Sequence, residues 1–117
     1  MINKIVILTV LLLSALMANE AVIENVEVQK GADGSFSFQV RILHKDSGWE
    51  HYVDGYEVLD AEGDVLGTRK LWHPHEDEQP FTRGLSRVRI KGENTVYIRA
   101  HDSVDGYSKS YRVKLIQ

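Results

Sequence analysis

The sequence predicts an all-β domain, a seven-stranded antiparallel β-sandwich preceded by a signal-peptide helix. Three observations predict it. Apolar residues recur at every second position after residue 19, and no stretch there has helical periodicity. Glycine-bearing turns (KGADGS, DAEGD, KGEN and VDGY) punctuate the alternating runs. Short strands separated by turn signals, in a region of about a hundred residues, point to two packed sheets rather than one open sheet.

The N-terminus is set apart from this domain. Residues 1–18, MINKIVILTVLLLSALMA, carry Lys4 and then a nearly unbroken apolar run from Ile5 to Leu13, followed by small residues. That run is shorter than the ~20 residues a membrane-crossing helix needs, so it reads as a secretory signal peptide cleaved after Ala18. Leu16 at the −3 position makes the site imperfect, and an uncleaved N-terminal anchor is the alternative. The remaining domain, 19–117, has no cysteine. No lipid attachment motif and no disulfide are therefore expected, and packing alone must hold the fold. The expected location is periplasmic or secreted, with no stable membrane anchor after cleavage. A formal net charge of −3 argues against nucleic acid and against an anionic membrane surface as partners.

The strands are expected at 22–29, 35–44, 51–60, 64–72, 85–91, 95–102 and 107–116. Phe36, Phe38, Val40 and Ile42 alternate with Ser37, Gln39 and Arg41, and Val96, Ile98 and Ala100 alternate with Tyr97 and Arg99. Each run is the pattern of a half-buried antiparallel strand. The closing stretch NTVYIRAHDSVDGYSKSYRVKLI resembles the final hairpin of fibronectin type III domains, with alternating apolar residues, an Arg-Ala step, a polar glycine turn and a last strand. That resemblance implies a fibronectin type III or immunoglobulin-like sandwich. Asn94 stands where that family usually has the tyrosine of its tyrosine corner, and the immunoglobulin Cys…Trp…Cys pattern is absent. The chain as a whole also resembles small exported bacterial proteins carrying an HPH…EQPFTR loop, a likeness that implies no particular activity.

Alternating strands send their connections to two poles. One pole receives short turns; the other receives HKDSGWEH, HPHEDEQPFTRG and the turn after 102. Long loops on a rigid scaffold are where function concentrates. All five histidines map to this long-loop pole. Strand parity turns His51 and His101 outward and His44 inward. His51, His73, His75 and His101 are therefore the candidate metal ligands, for copper or zinc, with Glu76, Glu78 or Asp102 able to complete a coordination shell. Against this, an HxH pair is a weak signal, and a solvated loop stiffened by Pro74 and Pro80 explains the same spelling. Asp102 shares the inward parity of Ala100 and is expected to bond backbone amides of its turn.

The leading expectation is a binding or accessory module that recognises a protein partner or small ligand at this pole. Trp49, Trp72 and Phe81 are the candidate apolar contacts, and Arg83 the polar one. Phe81 has a structural alternative, as a plug at the top of the core, with Thr82 and Arg83 bonding loop carbonyls or Asp102. A third reading is a structural module docking through its long last strand. Neither a nucleophile-elbow sequence nor a glycine-rich phosphate loop occurs, so no enzymatic activity is expected.

Overall fold

The computed structural model describes residues 20–115. The predicted signal peptide at 1–18 lies outside them. Eight strands run in the order β1 (Val22–Lys30), β2 (Phe36–Leu43), β3 (Val53–Leu59), β4 (Val65–Lys70), β5 (Phe81–Val88), β6 (Thr95–Asp102), β7 (Gly106–Tyr107) and β8 (Tyr111–Lys114). They form two sheets. One has the order β1-β2-β5; the other runs β4-β3-β6-β7, with β8 also paired to β6. Every pairing is antiparallel.

The two sheets form a β-sandwich-like all-β fold because their inner faces share one core. From the first sheet come Phe36, Phe38, Val40, Ile42, Phe81 and Val88; from the second come Val53, Tyr56, Val58, Val96, Ile98, Ala100 and Val113. β2 and β6 show the cause most plainly, since every second residue of each is buried. Polar atoms also join the sheets. The buried Tyr56 hydroxyl donates to the Arg83 carbonyl at 2.9 Å, and the Arg69 guanidinium donates to the Gly84 carbonyl at 2.7 Å. Burial raises the Tyr56 pKa, so this hydroxyl keeps its proton and remains a donor.

Two expectations need correction. The last strand is not continuous but divides into β7 and β8. Ser108 is the reason: its amide donates to the Ala100 carbonyl at 2.8 Å, while its buried hydroxyl accepts the Ala100 amide at 2.9 Å. One side chain thus takes over a ladder position and lets the backbone turn aside. Second, the fifth strand begins at Phe81 rather than at 85. Gly84 reads as the end of a loop, yet it sits in the ladder opposite Gln39, while Phe81 pairs with Ile42. A side chain at Gly84 would fall 2.6 Å from the Gln39 amide nitrogen, so the glycine serves close packing and not a turn.

This register makes Phe81 a core residue. It is 1% exposed, which removes it from the surface as a ligand contact. Phe81→Ala is therefore expected to lower the unfolding free energy by about 3–5 kcal/mol. Urea denaturation measures this directly; a loss under about 1 kcal/mol is what an exposed contact residue would give.

Candidate functional site

Three connections meet beyond the end of the core: 44–52 between β2 and β3, 71–80 between β4 and β5, and 103–105 between β6 and β7. They are stitched together by hydrogen bonds. The Leu71 amide donates to the Asp54 carbonyl, the Ser103 amide to the Tyr52 carbonyl, and the His44 amide to the Gln79 side-chain carbonyl. Gln79 then returns a hydrogen bond from its amide nitrogen to the His75 carbonyl at 2.8 Å. The 71–80 loop is thus fixed to the first sheet by its own glutamine.

At the centre lies a buried polar cluster. β2 carries inward parity one residue beyond Leu43, so His44 enters the interior at the end of the core and is 3% exposed. β6 ends on an inward residue as well, which brings Asp102 opposite it. The His44 Nε2 lies 2.7 Å from Asp102 Oδ2, and His51 Nε2 lies 2.8 Å from the same oxygen. The other Asp102 oxygen accepts the Val104 and Asp105 amides at 2.8 and 3.2 Å. On the far side of the His44 ring, Nδ1 meets Asp46 Oδ1 at 2.5 Å. Asp46 also accepts the Val53 amide at 3.2 Å and the His75 amide at 2.7 Å.

The electrostatics follow from these contacts. Burial pushes the Asp102 pKa up, but the Val104 amide, the His51 ring and the Asp105 amide outweigh it, and the net shift is downward. The hydrogen bond to Asp102 raises the His51 pKa against a smaller desolvation effect. His75 shifts the other way: burial lowers its pKa, and the nearby Arg83 charge adds to the effect. Its ring stacks on Phe81, with centroids 4.0 Å apart and planes 8° from parallel.

The predicted histidine quartet does not assemble. His51 joins His44 and Asp102. His101 stays on the outer face of the second sheet, with Nδ1 2.6 Å from Asp54 and its ring against Tyr107. His73 lies beside Trp49, with ring centroids 6.0 Å apart, and His75 is held by Phe81 and Asp46. The physical reason is that outward parity at a strand end does not control a loop residue. His51 precedes β3, where the chain is free to turn its ring back toward Asp102. Arg83 bonds the Thr82 carbonyl and Glu78, not Asp102. Trp49 and Trp72 remain 65% and 68% exposed at the pole. Asp102 does bond its turn amides, as parity predicts, but the two histidines on its other oxygen were not anticipated. The signal for them is the shared inward parity of His44 and Asp102 at the same end of two facing strands.

An all-β domain with a buried histidine–aspartate cluster at its long-loop pole is the class that fold and site define. The chain is 35% identical over 94 residues to a protein of Halomicrobium mukohataei named "Putative lipoprotein". The match covers 80% of this chain but 46% of that protein, so the chain spans about half the length of the curated relative it matches. No known family description matches the chain, and no solved structure does.

The opposed shifts of His51 and His75 have opposite consequences for stability. The His51 contribution is fully present below its ordinary pKa of 6.5 and is lost as pH rises through the raised value. The His75 contribution is fully present above 6.5 and is lost as pH falls through the lowered value. A pH titration of the ring protons by NMR should place His51 above 6.5 and His75 below it. In a His51→Gln variant, the decline of stability on the alkaline side of 6.5 should shrink.

Proposed function

We propose that this protein is an exported, non-enzymatic accessory module that binds a basic protein segment at its long-loop pole. The observation that carries this reading is the exposed aromatic surface built on Trp49. Its ring meets Tyr52 edge-on at 5.7 Å and His73 at 6.0 Å, and it borders a cavity of about 300 Å³ lined by Pro74, His75, Glu76, Asp77 and Glu78. An exposed indole beside several carboxylates suits a lysine or arginine side chain, which gains both ion pairing and cation–π attraction. Trp72 is a second exposed aromatic at this pole, with Lys70 over its ring at 5.5 Å.

Export is supported by the apolar N-terminal run and by the printed name of the relative, which suggests a cell-envelope location. A fibronectin type III or immunoglobulin-like classification is supported by the placement of β4 beside β3 on the sheet that also holds β6. The contact set differs from the one read from sequence. Trp49 and Trp72 retain a recognition role, whereas Phe81 lies in the core and Arg83 supports the loop through Glu78, whose carboxyl it holds below the ordinary range by their hydrogen bond.

A lysine-rich peptide titrated into the protein should change the Trp49 fluorescence with a salt-dependent midpoint. Trp49→Ala and the charge reversal Glu76→Lys/Asp77→Lys should each weaken binding by about tenfold, equivalent to about 1.4 kcal/mol. Absence of binding to the wild-type protein, or binding by both variants as tight as the wild type's, would falsify this assignment.

A further inference from the structure

The buried cluster sets two carboxylates among histidine rings. The side chains of Asp46 and Asp102 are 0% and 2% exposed, and their ion-pairing partners among the described residues are His44, His51 and His75. A buried carboxylate needs a compensating cation or a full set of donors. Asp46 accepts two backbone amides and the His44 ring, which assigns the His44 proton to Nδ1. The other ring nitrogen, Nε2, faces Asp102. That atom is buried and has no hydrogen-bond partner among the described residues, although Asp102 Oδ2 is only 2.7 Å away. A buried nitrogen and a carboxylate oxygen at that separation share a cation, either a proton or a metal ion.

We propose that His44 Nε2, His51 Nε2 and Asp102 Oδ2 bind a divalent transition-metal ion of the zinc type. Each residue supplies one donor atom, and the three atoms all lie within 4.8 Å of one another. Zinc takes imidazole nitrogen and carboxylate oxygen at about 2.0–2.2 Å. A tetrahedral set at that radius has donors about 3.3–3.6 Å apart, so the two contacts to Asp102 Oδ2 need only open by less than about an ångström. Two nitrogens among three donors disfavour calcium and magnesium, which take oxygen ligands.

The surroundings fit a metal centre. Asp46 on the Nδ1 side of His44 forms the carboxylate–histidine–metal arrangement that fixes ring orientation and raises ligand basicity. The Val104 and Asp105 amides pin the non-coordinating oxygen of Asp102. His51 is 23% exposed, and Asp105 Oδ2 stands 3.3 Å from its Nε2, leaving one side for a fourth ligand or solvent. A cavity of about 450 Å³ borders His44 and Asp46, with Glu20 and Glu76 on its walls together with Lys45. The three donor residues are not among those lining the Trp49 cavity, and the proposal does not depend on basic-peptide binding there.

The test uses the purified protein stripped with chelator and titrated with Zn²⁺ by calorimetry, then with Co²⁺ by visible absorption. One ion per chain is expected, with cobalt bands of a nitrogen–oxygen site. His51→Ala should abolish the cobalt bands and weaken zinc by more than about 100-fold, while Asp46→Asn, which keeps all three donors, should weaken it about 10–100-fold. His73→Ala and His101→Ala should bind as the wild type does. If Asp102→Asn fails to fold, the part-exposed His51 still decides the matter, with circular dichroism verifying its fold. No zinc uptake by the wild type overturns the proposal, as does unchanged stoichiometry and affinity in folded His51→Ala. Loss of binding in His73→Ala or His101→Ala overturns it too, because the metal would then sit elsewhere.

Discussion

The pleat of β2 against the pleat of β6 is the constraint on which the rest of this structure depends. Each strand is paired on both sides within its sheet, and each buries alternate residues along its whole length. With no cysteine to join the layers, the sheets are held by the apolar surface these strands share and by polar ties that include Tyr56 to Arg83, Arg69 to Gly84 and His44 to Asp102. The same alternation continues past the apolar residues. It carries His44 and Asp102 into the interior, so the polar cluster is a continuation of the core with different chemistry.

That continuity explains why the long loops are ordered around the pole. The 44–52 and 71–80 connections carry many backbone donors that must be satisfied away from strand ladders. Asp46, Gln79 and Asp102 satisfy them from side chains: Asp46 receives the Val53 and His75 amides, Gln79 the His44 amide, and Asp102 the Val104 and Asp105 amides. The side chains that pin the loops therefore also hold the histidines. A change at Asp46 reaches the His44 ring and the 71–80 loop together, because different atoms of one carboxylate contact both.

The pole has two chemically distinct layers. Outside, Trp49, Tyr52, His73 and Trp72 expose aromatic surface beside a row of carboxylates. Inside, His44, His51 and Asp102 meet where little solvent enters. Phe81 separates these layers from the core: one face packs among core residues, and the other carries the His75 ring. HPHEDEQPFTR thus divides into an exposed acidic half and a structural half. The division falls at Gln79, whose side chain bonds both His44 and His75.

Much was legible from residue order alone. Period-two alternation determined the all-β class, the positions of β2 and β6, the inward direction of His44, the turn-bonding role of Asp102 and the crowding of histidines at one pole. Alternation is a local property of the strand and needs no partner to be read. What only the tertiary structure decided depends on distance across the fold. The division of the last strand at Ser108 required the Ala100 backbone as its partner, and the early start of β5 required pairing of Phe81–Gly84 with β2. The grouping of His51 with His44 and Asp102, in place of His101, required a loop free of strand parity to turn its ring toward a carboxylate on another strand. Parity assigns a face to every strand residue, but which loop side chain reaches which buried charge is settled by where the two sheets hold their ends together.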